Sequence, residues 1–123
     1  MISAPSYDLL DEDRLRIYHS EYMKDKIALI GLSGSGKTSI GKLVADALGW
    51  RYIDTDAEIE QQTGHSINQL FVEWGEPAFR AKEREVLAHV FEHANVVIAT
   101  GGGIVEDSHN RDLLHQKAFN VWP

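Results

Sequence analysis

The octapeptide Gly31-Leu32-Ser33-Gly34-Ser35-Gly36-Lys37-Thr38 directly follows the apolar run Ile27-Ala28-Leu29-Ile30. No other stretch constrains the fold as tightly. Glycine, four residues, then Gly-Lys-Thr is the pattern of a phosphate-binding loop, and it works only where a strand feeds a loop that opens a helix. The glycines let backbone N–H groups curl around an anion with no Cβ in the way. The helix opening near Gly36 aims its positive end at the same place. Lys37 adds a point charge at the terminal phosphates, and the Thr38 hydroxyl is placed to ligate Mg²⁺. Gly34, Ser35, Gly36, Lys37, Thr38 and Ser39 are the candidate nucleotide-binding residues. A glycine-rich turn without a ligand is the plainer alternative. The full pattern after a hydrophobic strand favours a nucleoside triphosphate.

From residue 26 onward strands and helices alternate. The run 27–30 reads as a strand buried on both faces, as in a parallel sheet. A helix over 36–48 carries Ile40, Leu43, Val44 and Ala47 on one face and ends at Gly49. A short strand over 51–54 follows. Thr55 and Glu58 have capping-box spacing, which starts a helix with Thr55 as its cap; Ser66 and Gln69 repeat that spacing before Ile67, Leu70 and Phe71. Pro77 suits the first turn of a longer helix running to about His93. A buried strand over 95–99, a helix near 107–116 and an apolar piece over 118–122 complete the pattern. Such alternation, with right-handed crossovers, predicts a doubly wound parallel α/β sheet. Residues 1–25 differ: they are acidic, carry one weak stripe of Leu10, Arg14, Ile17 and Tyr18, and read as a loosely packed extension before a domain over 26–123. Met23 is a candidate natural start.

The chain has 123 residues, a formal net charge of −7 and no cysteine. One domain with an adequate core is expected. The acidic balance argues against a nucleic-acid surface, which needs clustered Lys and Arg. Disulfides, thiol nucleophiles and cysteine zinc sites are excluded. No apolar run has the length of a membrane span, and the start lacks a signal-peptide layout, so a cytoplasmic protein is the default expectation.

Three further features bear on a second substrate. Asp54-Thr55-Asp56 lies at the carboxyl end of a strand, where ligands gather in open parallel sheets. One carboxylate there can hold Mg²⁺ through water and the other can accept a proton from a hydroxyl; alternatively both simply complement a helix N-terminus. In Phe79-Arg80-Ala81-Lys82-Glu83, the glutamate falls on the apolar stripe of Phe79, Val86, Leu87 and Val90 and needs Arg80, one turn earlier, as partner. Arg80 has the planar fork that suits a substrate carboxylate, or it forms an ordinary helix-face ion pair. Thr100-Gly101-Gly102-Gly103 follows a strand with no acidic residue at its end, so bare backbone can approach a ligand. His89 and His93, with Glu92 between them, read as a solvated helix face. Trp74 is placed either beside the crevice or in loop packing, and Trp50 and Trp122 read as structural.

These motifs, in this order and spacing, resemble the shikimate kinase family; residues 60–67 also look like that family's connector, and the resemblance covers residues 26 to about 122. It implies a P-loop kinase fold and ATP-dependent phosphorylation of the shikimate 3-hydroxyl, with ATP and shikimate as partners and Mg²⁺ as cofactor. By the same resemblance Lys37 contacts the transferred phosphoryl group, Thr38 ligates Mg²⁺ and Asp54 helps organise it. Asp56 bonds the ring hydroxyls and acts as base. Arg80 grips the substrate carboxylate with Glu83 orienting it, and the backbone of Gly101, Gly102 and Gly103 holds ring hydroxyls. Members of the family continue past the equivalent of Trp122 into a lid with a phosphate-contacting arginine, a further strand and a closing helix. The expected sheet therefore misses its last strand and helix, and Arg111 is expected on a surface helix rather than a lid. Two alternatives stay open: a kinase of another polyol acid such as gluconate, and a nucleotide- or shikimate-binding fragment without turnover.

Overall fold

The computed structural model describes residues 24–31 and 35–121, with residues 35–38 as backbone only. In chain order the elements are β1 (Lys26–Leu29), α1 (Ser35–Leu48), β2 (Arg51–Asp54), α2 (Thr55–Thr63), α3 (Ile67–Trp74), α4 (Glu76–Val90), β3 (Val96–Ala99), a 3-10 turn (Ile104–Glu106), α5 (Ser108–Lys117) and β4 (Phe119–Val121). The strands form one sheet in the order β2-β3-β1-β4, and every pairing is parallel. This is the doubly wound α/β arrangement expected from the alternation.

Side-chain alternation along the strands feeds two separate cores, one on each face. Ala28, Ile53, Val96 and Ile98 meet Ile59, Leu70, Phe79, Val86, Leu87, Val90 and Leu114 on the face covered by α2, α3, α4 and α5. Leu29 and Val97 meet Ala45 on the other face, flanked by Ile27, Val44, Trp50 and Tyr52. All four residues of β3 are buried, as a strand covered on both faces requires.

The buried face of α1 differs from the expected one. Ile40 and Leu43 are 43% and 70% exposed, whereas Gly41 and Ala45 point inward. A Cβ on Gly41 would overlap the Tyr52 ring. The helix lies so close to the sheet that small residues, not the bulky apolar ones, form the contact. Val44 alone of the expected stripe packs at that core's edge.

Most helix ends fall within a few residues of expectation. Ser66 and Gln69 form a reciprocal capping box, and α4 carries its proline in the first turn. That helix ends at Val90 rather than near His93, because the chain turns through Asn95 at φ 56° to enter β3, a left-handed conformation asparagine tolerates. Residues 24 and 25, assigned to the extension by composition, are tied to the fold: Asp25 O accepts from Val96 N at 3.1 Å, and Lys24 Nζ donates to His115 O at 3.0 Å. The remaining residues of the extension, with Met23, lie outside the described residues, as does Trp122. No helix among the described residues is long and apolar enough to cross a membrane.

Candidate active site

The carboxyl ends of β1, β2 and β3 lie side by side at one edge of the parallel sheet, where ligands gather in such folds. β1 is followed by Ile30 and by Gly31 at φ 80°; residues 32–34, Gly34 among them, lie outside the described residues. Ser35, Gly36, Lys37 and Thr38 form the first turn of α1, and their side chains are likewise undescribed; Ser39, the next residue, is exposed.

At the end of β2 the cap is Asp54, not Thr55. Asp54 Oδ1 accepts from Asp56 N at 2.9 Å and from Ala57 N at 3.1 Å. A carboxylate complements a helix N-terminus better than a hydroxyl does, because it adds charge to the hydrogen bond. Thr55 is thereby pulled inside as the first helical residue and is fully buried. Asp56 stands in the first turn of α2, half-buried.

Asp56 and Arg80 both lean on the glycine loop. A Cβ on Gly101 would lie 2.6 Å from Asp56 Oδ1, and one on Gly103 would overlap the Arg80 guanidinium. Gly102 is exposed with open space around it. At these two positions the absence of a side chain is what lets acid and base approach the loop backbone. Gly101 and Gly103 are thus each held against a charged side chain, while Gly102 is not.

Arg80 is fixed from several sides. Its Nη1 donates to Glu83 Oε1 at 3.0 Å, its Nε lies 3.6 Å from Glu76 Oε1, and its guanidinium sits 5.6 and 5.5 Å from the ring centres of Phe71 and Phe79. Burial works to lower the Arg80 pKa, but the Glu83 hydrogen bond and the charges of Glu83, Glu106 and Glu76 hold it above its ordinary value. Glu83 is 2% exposed, as its place on the apolar stripe of α4 implied. Burial raises its carboxyl above the usual glutamate range despite Arg80, with Asp56 and Glu106 adding negative potential. Asp56, Arg80, Glu83 and Glu106 therefore form one electrostatic unit beside Gly101 and Gly103. The aromatic shelf under Arg80 was not read from the sequence, because Phe71 comes from the preceding helix α3 and Phe79 is the residue next to Arg80 in sequence.

The turn after the glycines is pinned by ion pairs and caps. Arg84 bonds Asp107, holding that carboxyl below the usual range, and Asp107 caps α5 by accepting from His109 N at 2.8 Å. Arg111 lies exposed on α5 and donates to Val105 O at 2.6 Å and Glu106 O at 3.0 Å. His89 is exposed beside Glu92 at 3.4 Å, and no group of three metal-ligating side chains occurs among the described residues. Trp74 is 44% exposed, and Trp50 packs at the edge of the α1-side core.

The family model described as shikimate kinase matches residues 33–122. The chain belongs to the shikimate kinase family. It is similar to the shikimate kinase of Caulobacter vibrioides, at 45% identity over 96 residues, covering 78% of this chain and 48% of that protein. A shikimate kinase structure from Acinetobacter baumannii, in complex with shikimate, superposes with a TM-score of 0.77 at 36% identity, covering 87% of this chain and 58% of that one. A gluconokinase structure from Sinorhizobium meliloti superposes less well, at TM-score 0.51 and 25% identity over 80% of this chain and 55% of that one. The sequence thus sits with shikimate kinases rather than with kinases of other polyol acids. The chain spans about half the length of the curated relatives it matches.

Proposed function

We propose that this chain carries the nucleotide and substrate sites for ATP-dependent phosphorylation of the shikimate 3-hydroxyl. The observation that carries the reading is the approach of Asp56 to Gly101 and of Arg80, held by Glu83, to Gly103, in a member of the shikimate kinase family. The shikimate held by the Acinetobacter relative supports the choice of substrate.

In this reading ATP lies over the phosphate loop, with its phosphates on the backbone N–H groups at the start of α1 and Lys37 at the terminal phosphate. Shikimate lies against the glycine loop with its carboxylate on Arg80. Glu83, behind Arg80, keeps the guanidinium from turning away, and the Phe71 and Phe79 rings hold its plane. Asp56 accepts the proton of the attacking hydroxyl; the oxygen forms its bond to the γ-phosphorus as the bond to the bridging oxygen of ADP breaks. Thr38 and Asp54 are the residues that would hold Mg²⁺, which when bound neutralises charge on the β- and γ-phosphates. Asp54 fits this duty because both of its capping bonds fall on Oδ1. Its second carboxylate oxygen is the one that would face a cation or its water. A cytoplasmic setting agrees with these soluble small-molecule substrates.

The test is ADP release by the purified chain with MgATP, with and without shikimate, against a Lys37→Met control. Shikimate-dependent turnover that disappears in Lys37→Met establishes the kinase reading. Binding of both ligands without turnover assigns this chain the binding part of the reaction alone. A folded chain that binds neither overturns the proposal.

A further inference from the structure

We propose that Thr55 is a positioning residue for the substrate side of the site, its hydroxyl holding the glycine loop at a fixed distance from Asp56. This rests on the reading of Asp56 and residues 101–103 as the shikimate side.

Thr55 is 0% exposed, so its hydroxyl must find partners inside the fold. It finds two, on a segment more than forty residues away in sequence. Thr55 Oγ1 donates to Ala99 O at 3.3 Å and accepts from Gly101 N at 3.1 Å. Ala99 is the last residue of β3 and Gly101 the first glycine after it, so one hydroxyl spans the joint where strand becomes loop. Between them, Thr100 donates through both its backbone N, at 3.2 Å, and its Oγ1, at 3.0 Å, to Leu29 O. Leu29 ends β1, two residues before the phosphate loop begins. A continuous set of buried bonds therefore runs from the first residue of α2, through the root of the glycine loop, to the root of the phosphate loop.

The geometry makes this set consequential for Asp56. Asp56 follows Thr55 directly, and a Cβ on Gly101 would lie only 2.6 Å from Asp56 Oδ1. A loop root that drifted would change how closely the Gly101 backbone approaches that carboxylate, an approach only a residue without a side chain permits. Valine at position 55 would fill the same volume, yet leave the Gly101 N–H and Ala99 C=O without their partner. Serine would keep the hydroxyl and lose only a methyl group.

The experiment compares the parent chain with Thr55→Val and Thr55→Ser. Amide hydrogen exchange is followed by NMR, and shikimate and ADP affinities by calorimetry. In Thr55→Val the Gly101 amide should exchange about tenfold faster while the Val97 amide, inside β3, keeps its rate. Shikimate should bind about tenfold more weakly in that variant, with ADP affinity held within about twofold. Thr55→Ser should restore both readouts to within about threefold of the parent. Unchanged Gly101 exchange in Thr55→Val, or an equal loss of ADP and shikimate binding, overturns the proposal. If Thr55→Val does not fold, Thr55→Ala against Thr55→Ser makes the same comparison, and equal Gly101 exchange in those two overturns it as well. A parent chain that binds no shikimate sinks the functional reading instead, and Gly101 exchange alone then decides the role of Thr55.

Discussion

Glu83 combines two demands that conflict in most proteins: it is buried almost completely, and it must carry charge to hold Arg80. Burial raises its pKa above the ordinary 4.5, so the fold favours its protonated form. A raised folded value contributes stability that is fully present below 4.5 and is lost as pH rises through the raised value. The melting temperature of the chain should therefore fall relative to that of Glu83→Gln as pH climbs through the window just above 4.5. A difference between the two that stays constant across that window would mean Glu83 titrates at its ordinary value. Gly103 makes a complementary case. An added methyl meets the Arg80 guanidinium and would push it off the buried Glu83 carboxylate, so Gly103→Ala should cost about 1–3 kcal/mol of stability. It should also weaken shikimate binding about tenfold or more, because the guanidinium is displaced. Calorimetric titration beside a urea melt separates these outcomes. The burial of Glu83 was legible from its helical register, and its pairing with Arg80 from the three-residue spacing. The clash that fixes Gly103 was not, since nothing local tells which side chain a glycine faces.

Helix starts supply much of the order at the level of elements. Asp54 ends β2 and caps α2 with the same carboxylate, so its side chain can serve both a helix and a cation. Two substitutions divide these duties. Asp54→Asn keeps an oxygen for the cap and should leave urea stability within about 0.5 kcal/mol of the parent. Asp54→Ala removes the cap and should cost about 1 kcal/mol. If the carboxylate also meets Mg²⁺, both variants should weaken MgADP binding relative to ADP alone; equal Mg²⁺ enhancement in parent and Asp54→Asn would end that assignment. The capping box of Ser66 and Gln69 was readable because it is wholly local: both partners lie within four residues. The displaced cap at Asp54 was not, because Thr55 has the right spacing to Glu58 and loses only to a distant competitor. Ala99 and Gly101 take up its hydroxyl, and those partners belong to β3 and the loop that follows it.

Across the whole molecule, β4 is the sheet member with least cover among the described residues. Phe119 is 64% exposed and Val121 36%, while Leu48 and Leu43 expose 47% and 70% of their surface on neighbouring α1. Ile27, Leu48, Trp50 and Phe119 line one open hollow of about 400 Å³ beside Lys24. An edge strand flanked by apolar surface associates readily. The isolated chain should therefore form concentration-dependent oligomers in sedimentation velocity, and Phe119→Lys should reduce them; a monomer at every concentration would remove this expectation. What the amino-acid order determined by itself was whatever depends on near neighbours: the strand β1 followed by the helix α1, the alternation that makes a parallel sheet, the capping box and the stripe on α4. Tertiary structure decided the rest. It chose Gly41 and Ala45 over Ile40 and Leu43 as the inner face of α1, because helix-to-sheet distance selects small residues there. It brought Asp56 to Gly101 and Arg80 to Gly103 from three separate segments. It also turned Thr55 from a cap into a buried link, since a hydroxyl pairs with whatever partner the packing brings within reach.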